Sequence, residues 1–266
     1  MTVALAATWH PRGELNRALR MIDDLTALYA GIFVVVPPDA GSDVSALIDH
    51  PGVSIISGDD WYGGRHHAVQ NALASGLNFA AIHYCDFDRL LHWLERFPDE
   101  LQRTVDHITQ VDCLITGRTD QAWATHPRCM IETENIFNMT FSQLLDLDSD
   151  HEVIDFGAGS RGLSRRATEY LIQHATPTWG WAVDAAWPLL LHHAGYTVEY
   201  VAVDGLAWET PDQFRDTVAD AETRSAMAAQ YDQSPDIWRQ RVHVAHEITR
   251  VGVLALARFE EKQTHG

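Results

Sequence analysis

The chain has 266 residues, of which 46% are hydrophobic, and carries 37 acidic and 19 basic side chains for a formal net charge of −18. This composition predicts a globular protein of one domain with an extension, or two small domains, and excludes a disordered chain. The negative charge opposes non-specific binding to nucleic acid or to an anionic membrane surface. It still permits a nucleotide ligand whose phosphates meet a local metal and a few arginines.

The cysteines predict a cytoplasmic protein with reduced thiols. Cys85, Cys113 and Cys129 are odd in number and widely spaced, a pattern that favours neither a disulfide framework nor a zinc cluster. No apolar run approaches the roughly 20 residues of a membrane span. The short apolar run at the N-terminus, without a basic leader, indicates a first strand and not a signal peptide.

Strand and helix patterns alternate through the first half of the chain. The predicted strands are 3–8, 32–36, 53–56 and the segment from 79 to the two aspartates, and the predicted helices are 15–29, 44–48 and 65–74. Such alternation predicts an α/β fold with a largely parallel sheet and helices on both faces.

The second half predicts further helices, two more strands and a helical C-terminal region. We expect helices at 90–108 with a break near Pro98, at 136–147, 164–174, 183–193 and 235–262, strands at 113–116 and 196–203, and a flexible loop at 157–162. Ser234 is the predicted N-cap of the last helix, and Pro235 suits its first position. The predicted division is a catalytic domain at 1–210 and a helical extension at 211–266.

Two aspartates mark the end of the fourth predicted strand. Asp86 and Asp88 stand two positions apart, so that their side chains point to the same side of a strand. Convergent carboxylates are costly to hold together without a cation between them. Mg²⁺ or Mn²⁺, shared with substrate phosphates, is the usual solution. The motif is short, and by itself it is equally compatible with a polar strand end.

Other polar residues are expected at the same edge of the sheet, because ligands of open α/β sheets bind outside the carboxyl ends of the strands. Arg65 opens a helix, where an arginine suits a phosphate contact. Taken singly, each of these side chains also fits a solvated loop. Those that follow the first four strands are His10, Arg12, Asp39, Asp59, Asp60, Asp86, Asp88 and Arg89.

In this order the segments resemble a nucleotide-sugar-dependent glycosyltransferase of the GT-A fold, from the large inverting family that includes polyprenol-phosphate mannosyltransferases. Residues 34–39, VVVPPD, resemble the second strand of that fold. Residues 63–73, GGRHHAVQNAL, are similar to its G-x-x-x-A-R-N-x-G helix entry, with the arginine earlier than usual. Residues 85–88, CDFD, resemble its Asp-x-Asp motif. The resemblance covers about residues 1–210.

The resemblance implies a UDP or GDP sugar as donor and a hydroxyl group as acceptor. Asp88 would coordinate the Mg²⁺ or Mn²⁺ that bridges the donor diphosphate, and Asp86 would bind the ribose or share the metal. Glu209 or Asp204 is the candidate third ligand, since the segment after the last strand contains no histidine. The expected donor-binding residues are His10, Asp39, Arg65 and Asp86.

On the acceptor side, the resemblance implies that Asp184 is the catalytic base, which removes the proton of the acceptor hydroxyl. The alternative is a first-turn carboxylate favoured by the helix dipole. The family usually has Glu-Asp at this place, and this chain has Val183 before Asp184. The other expected acceptor-side residues are Trp179, Trp181 and Arg161; a sugar face would stack on the tryptophans, although core packing explains each equally well.

Four other interpretations remain. The loop 155–162, DFGAGSRG, resembles the cofactor loop of S-adenosylmethionine-dependent methyltransferases, but the strand before it is very short and no acidic strand end follows about 20 residues later. A non-catalytic nucleotide-sugar-binding module is also compatible with the motifs. A nucleotidyltransferase would need a Gly-rich N-terminal loop, and a haloacid dehalogenase-type phosphatase would carry its Asp-x-Asp on the first strand.

The apolar residues of the C-terminal helix predict burial over the acceptor site or in a homodimer.

Overall fold

A computed structural model describes residues 2–58, 63–145, 153–177, 180–209 and 219–264 of the chain. Within these ranges, seven strands form one sheet: β1 (Val3–Thr8), β2 (Ile32–Val36), β3 (Val53–Ser57), β4 (Ala81–Cys85), β5 (Cys113–Arg118), β6 (Ser160–Ser164) and β7 (Val198–Val203). Their order across the sheet is β3-β2-β1-β4-β6-β5-β7. All pairs are parallel except those of β6, which runs antiparallel to both β4 and β5.

Helices cover both faces of this sheet. They are α1 (Leu15–Leu28), α2 (Gly41–Ile48), α3 (Gly64–Ala74), α4 (Phe87–Arg96), α5 (Pro98–Ile108), α6 (Asp120–Trp123), α7 (Arg128–Leu145), α8 (Arg165–His174), α9 (Val183–His193), α10 (Ala221–Gln233) and α11 (Pro235–Thr264), with a 3₁₀ turn at Gly180–Ala182 before α9. The predicted class, a mostly parallel Rossmann-type sheet flanked by helices with a helical C-terminal region, is confirmed.

The central strands are buried on both faces, as a parallel sheet between two helical layers requires. Val3, Leu5 and Ala7 of β1 belong to one hydrophobic cluster, whereas Ala4 and Ala6 belong to another on the opposite face. This alternation follows from the two-residue period of a strand. The apolar run at the N-terminus therefore shows no alternation of apolar and polar residues, because both faces of β1 are covered.

Two elements differ from the sequence-based expectations. Residues 157–162 were expected to form a flexible loop, but Ser160–Ser164 is β6, which fills the gap between β4 and β5. Its five residues are too few and too polar to show a strand period. Helix α7 begins at Arg128, eight residues before the expected start, and buries Cys129, Met130 and Thr133 in its first two turns.

The C-terminal region packs against the rest of the protein. Helix α11 contacts α7 and α9, and its Val244 and Ile248 are 2% and 3% exposed in the same hydrophobic cluster as the sheet. Val242 and Leu254 on the same helix are exposed, and the homodimer stays a prediction. Among the described residues, no helix is long and apolar enough to cross a membrane.

Candidate active site

A cavity of about 350 Å³ opens at the carboxyl ends of β1 and β4. Helices α7 and α11 and the segment that leads into α9 form its other walls. The residues that line it include Thr8, Trp9, His10, Arg12, Arg65, Asp86, Asp88, Arg89, Glu134, Gly157, Trp181, Asp184, Trp208, Glu209, Tyr231 and Arg241. The structure therefore brings together seven of the ten predicted site residues: His10, Arg65, Asp86, Asp88, Trp181, Asp184 and Glu209.

Arg65 joins two carboxylates that are 98 residues apart in the chain. Its Nη2 donates hydrogen bonds of 2.9 Å to both oxygens of Asp86, and its Nη1 lies 2.5 Å from Oδ2 of Asp184. Burial alone would lower the pKa of Arg65, but Asp184 and Asp86 raise it above its ordinary value. The guanidinium therefore stays charged and links the end of β4 to the start of α9.

Asp86 is held in place by several donors of this chain. Besides Arg65, the hydroxyl groups of Thr8, at 3.3 Å, and of Tyr84 donate to its Oδ1. The backbone N–H of Asp86 donates to the carbonyl of Gly159 at 3.1 Å. Gly159 has a φ of +72°, and a Cβ there would lie 2.6 Å from Oδ2 of Asp86. Glycine at this position makes room for the carboxylate, whose oxygens are already occupied by protein donors.

Asp88 differs from Asp86, because the described residues leave its carboxylate without a direct partner. It lies in the first turn of α4, and none of the described residues makes a hydrogen bond or ion pair with its carboxylate. Burial and the charge of Asp86 raise the pKa of Asp88, although Arg89 and Arg12 oppose the shift. A half-buried carboxylate beside a second one, open to a pocket, fits a hard divalent cation.

Glu209 lines the same pocket, but its oxygens are engaged. Arg17 and His92 both bond to its carboxylate, and these bonds hold the pKa of Glu209 below its ordinary value although burial raises it. Asp204, the alternative third ligand, accepts a hydrogen bond from Thr119 and does not line the cavity.

A closed three-ligand metal site is not found at the cavity. In the part of the chain that the structure describes, the three metal-ligating side chains whose ligand atoms lie within 4.8 Å of one another are His243, His246 and Glu247 on α11. The cavity therefore offers Asp88, whose carboxylate has no direct partner among the described residues. A cation held there would take its remaining oxygens from substrate phosphates and water, which is how Mg²⁺ is usually bound.

Asp184 is buried, and its two carboxylate oxygens differ in their contacts with the described residues. The residue is 2% exposed in the first turn of α9. Its Oδ2 is paired with Arg65, whereas Oδ1 has no hydrogen-bond partner among the described residues. Burial raises the pKa of Asp184, and Arg65 and Arg161 oppose that rise. The group can accept a proton through Oδ1 from a hydroxyl brought into the pocket.

Two predicted site residues lie away from the cavity. Arg161 is fully buried, and its Nη2 donates to the backbone carbonyls of Asp184 at 2.9 Å and Phe156 at 2.5 Å. It stands on β6 in the middle of the sheet, so it positions the start of α9 and does not reach the acceptor side. Asp39 is exposed after β2 and does not line the cavity. Trp179, like Asp59 and Asp60, lies outside the described residues.

A buried charge network beside the cavity was not foreseen from the sequence. Arg118, at the end of β5, donates to Asp155 through Nε at 2.6 Å and to Glu134 on α7 through Nη2 at 2.5 Å. Arg241 on α11 also bonds to Glu134. The members come from four distant segments. The local sequence signal for this network was the position of Arg118 at the end of an apolar strand. The other candidate ligands were predicted at the ends of strands as well.

The same network accounts for the glycine-rich loop. A Cβ on Gly157 would overlap the Glu134 carboxylate and lie 3.0 Å from Nη2 of Arg118. Asp155 accepts hydrogen bonds from Arg118 and from the N–H of Gly157. The glycines of this loop therefore make room for protein side chains. This packing explains the glycine-rich sequence that resembles a methyltransferase cofactor loop.

No family model and no curated protein matches the chain. Among solved structures, it is similar to the bifunctional IspDF from Campylobacter jejuni, with 11% identity, a TM-score of 0.44 and coverage of 79% of this chain and 52% of that one. It is also similar to glucosyl-3-phosphoglycerate synthase from Mycobacterium tuberculosis, solved with Mn²⁺, UDP-glucose and phosphoglyceric acid. That match has 10% identity, a TM-score of 0.47 and coverage of 91% and 80%.

The chain thus spans about half the length of IspDF. At these identities and TM-scores, neither likeness identifies an activity. The function must be argued from the residues of the cavity.

Proposed function

We propose that the protein is a metal-dependent glycosyltransferase that moves a sugar from a nucleoside-diphosphate donor to a hydroxyl acceptor. The observation that carries the proposal is the Asp86–Arg65–Asp184 bridge beside the Asp88 carboxylate, which the described residues leave without a direct partner, inside one cavity at the carboxyl ends of the strands. Open α/β sheets bind their ligands at this edge.

On the donor side, Asp88 would hold the Mg²⁺ or Mn²⁺ that accompanies the diphosphate. When bound, such an ion neutralises charge on the leaving nucleoside diphosphate as a Lewis acid. Asp86 is a positioning residue: Thr8, Tyr84 and Arg65 fix its carboxylate, which in turn holds Arg65 beside the donor site. His10 lines the same wall of the cavity and contacts the donor.

On the acceptor side, Asp184 acts as the general base. Its Oδ1 has no hydrogen-bond partner among the described residues, and Arg65 fixes the other oxygen, so Oδ1 takes the proton of the attacking hydroxyl. Trp181 lines the cavity and offers its ring to the apolar face of a sugar. Helix α11 closes this side and keeps bulk water from the reacting groups.

Ligand-dependent stabilisation tests this function. A thermal-shift panel with UDP, GDP, their sugars and S-adenosylmethionine, each with and without Mn²⁺, separates the candidates, because a ligand bound by the native state alone raises its stability. We expect stabilisation by one nucleoside diphosphate that requires the metal. Release of the nucleoside diphosphate from its sugar then separates an enzyme from a binding module. Stabilisation by S-adenosylmethionine, or by no nucleotide, would remove the proposal.

A further inference from the structure

Arg89 is a cationic side chain of the cavity whose charge acts on the neighbouring Asp88 but which forms no ion pair with the described residues. It lies on α4 next to Asp88 and lines the cavity. None of the described carboxylates lies within ion-pair distance of it, and its Nη1 is buried without a hydrogen-bond partner among the described residues. A buried donor on a charged group is costly when it is left unpaired. The site is thus incomplete without an acceptor of hydrogen bonds.

Arg241 brings a second unsatisfied donor to the same cavity from α11. Its Nη2 bonds to Glu134, but its Nε is buried without a partner in the described part of the chain. Burial lowers the pKa of Arg241, and nearby Arg118 and Arg89 lower it further against the opposing effect of Glu134. The guanidinium groups of Arg89, Arg118 and Arg241 are therefore close enough to repel one another.

Arg241 lies on the β5 side of the cavity, away from the predicted donor contact His10, whereas Arg89 neighbours Asp88 on α4. Arg241 and Glu134 stand on α11 and α7, and Glu134 bonds to Arg118 at the end of β5. In the sheet, β5 lies on one side of β4 and β1 on the other. His10, after β1, is consequently on the opposite side. Trp208 and Tyr231 line the cavity too, with ring centroids 5.3 Å apart, and offer apolar surface to a ligand.

We propose that Arg89 and Arg241 form a binding site for the anionic group, phosphate or carboxylate, of a small acceptor. Guanidinium groups present forked N–H donors that match the oxygens of either anion. Calling this ligand an acceptor rests on the proposed glycosyl transfer, whereas the anion site itself depends only on the two arginines. The cavity then holds two ligands: a donor at Asp88 and an anionic acceptor at Arg89 and Arg241.

Isothermal titration of inorganic phosphate and of acetate into the protein, first free and then saturated with nucleoside diphosphate and Mn²⁺, tests this site. We expect phosphate or acetate to bind with a Kd on the order of 1 mM, whether or not the nucleotide is present. Arg89→Gln and Arg241→Gln should each weaken that binding by about tenfold or more, as loss of a charge-assisted hydrogen bond does. The anion that binds more tightly identifies the acceptor group.

Arg239→Gln is the matched control. Arg239 is on the same helix, two residues from Arg241, with its side chain 80% exposed, and we expect its replacement to leave anion binding unchanged. Arg89→Gln is the decisive variant, because it removes no ion pair of the folded protein, whereas Arg241→Gln also removes the contact with Glu134.

The anion site would be refuted if neither anion bound, or if wild type and Arg89→Gln bound the anion with equal affinity. It would also be refuted if Arg239→Gln weakened anion binding as much as Arg89→Gln does, or if phosphate competed with the nucleoside diphosphate. Competition would assign the arginines to the donor. Anion binding that depends on Arg89 in a protein that binds no nucleotide would support the anion site and refute the glycosyltransferase proposal, so the two failures are distinguishable.

Discussion

Arg65 and Asp184 form a buried ion pair, with Nη1 and Oδ2 2.5 Å apart and both side chains 3% exposed. The same guanidinium donates to Asp86, so the proposed base and the Asp-x-Asp motif share one cation. The electrostatic state of either carboxylate therefore depends on the other, and removal of Arg65 would leave both without their principal compensating charge.

Replacement of Arg65 should consequently destabilise the fold strongly. We expect Arg65→Met to lower the free energy of unfolding by about 3–5 kcal/mol, the usual cost of leaving a buried charge unpaired. Urea denaturation measures the change. Arg128→Met is the control, because that arginine is 76% exposed in an i,i+4 pair, and its loss should cost about 0–0.5 kcal/mol. Equal small effects of the two variants would show that the bridge contributes no stability.

Asp88→Asn should separate stability from activity. Among the described residues the Asp88 carboxylate has no hydrogen bond or ion pair, and burial and Asp86 raise its pKa more than Arg89 and Arg12 lower it, so the neutral variant should be at least as stable as wild type in chelator. Turnover should fall by about 100-fold or more, since metal assistance is worth several kcal/mol. Thermal unfolding and a nucleoside-diphosphate release assay report the two quantities. A marked fall in melting temperature would mean that Asp88 has a structural role.

The proposed base predicts a pH dependence of activity. Burial raises the pKa of Asp184 above its ordinary value of 3.8, and a general base works only when deprotonated. The rate should therefore rise with pH along a limb centred above that value. Asp184→Asn should lower transfer by about 10²–10⁴-fold while nucleotide affinity is retained. An unchanged transfer rate in this variant would eliminate Asp184 as the base.

His83 predicts a pH dependence of stability that does not involve the cavity. Burial lowers the pKa of His83 to about 3, and its ring is bonded to the hydroxyl groups of Tyr29 and Ser160. Below the unfolded pKa of about 6.5, the unfolded chain binds a proton that the folded protein does not, so stability falls as pH falls through this window. The His83 contribution to the slope is about 1.4 kcal/mol per pH unit.

His83→Gln should remove that contribution. Denaturation curves of wild type and variant between pH 4 and pH 7 should differ in slope, with the variant less sensitive to acid, even where its absolute stability is lower. Parallel curves would show that His83 takes up a proton in the folded protein as readily as in the unfolded chain.

Gly157→Ala tests whether the glycine-rich loop is packed against the charge network. An added Cβ would meet Glu134 and Arg118, and overpacking of this kind costs about 1–3 kcal/mol. At Gly58, a Cβ would lie 3.5 Å from Cγ1 of Val35, an ordinary contact, so Gly58→Ala is the matched control with an expected change within about 0.5 kcal/mol. A neutral Gly157→Ala would indicate open space in that loop.

Local sequence patterns predicted the elements at the carboxyl edge of the sheet. The remaining elements depend on tertiary pairing, which the local sequence does not show. The apolar run before Asp86 and the breaks at Pro98 and Pro37 are local, and they placed β4, α4 and β2 correctly. Strand β6 carries no period of its own, because its strand form depends on the open edges of β4 and β5.

The residues of the candidate site show the same difference between local signals and distant contacts. Asp88 was predicted from its place after a strand and Asp184 from the family resemblance, and both lie in the first turn of a helix at the cavity. Arg161 was misplaced because its burial depends on β6, and the Glu134–Arg241 contact joins residues that are 107 positions apart. Distant side chains decide which carboxylate of the site has an ion-pair partner. No local sequence pattern predicts these partners.

If Asp88 holds the cation that a nucleoside diphosphate needs in order to bind, nucleotide affinity must depend on both the metal and the Asp88 carboxylate. Calorimetric titration of UDP and GDP into wild type and Asp88→Asn, each with Mn²⁺ and with chelator, measures this dependence. We expect wild type with Mn²⁺ to bind one nucleotide, and its affinity to fall by about 100-fold on removal of either the metal or the Asp88 carboxylate. Equal affinity in all four conditions would contradict it.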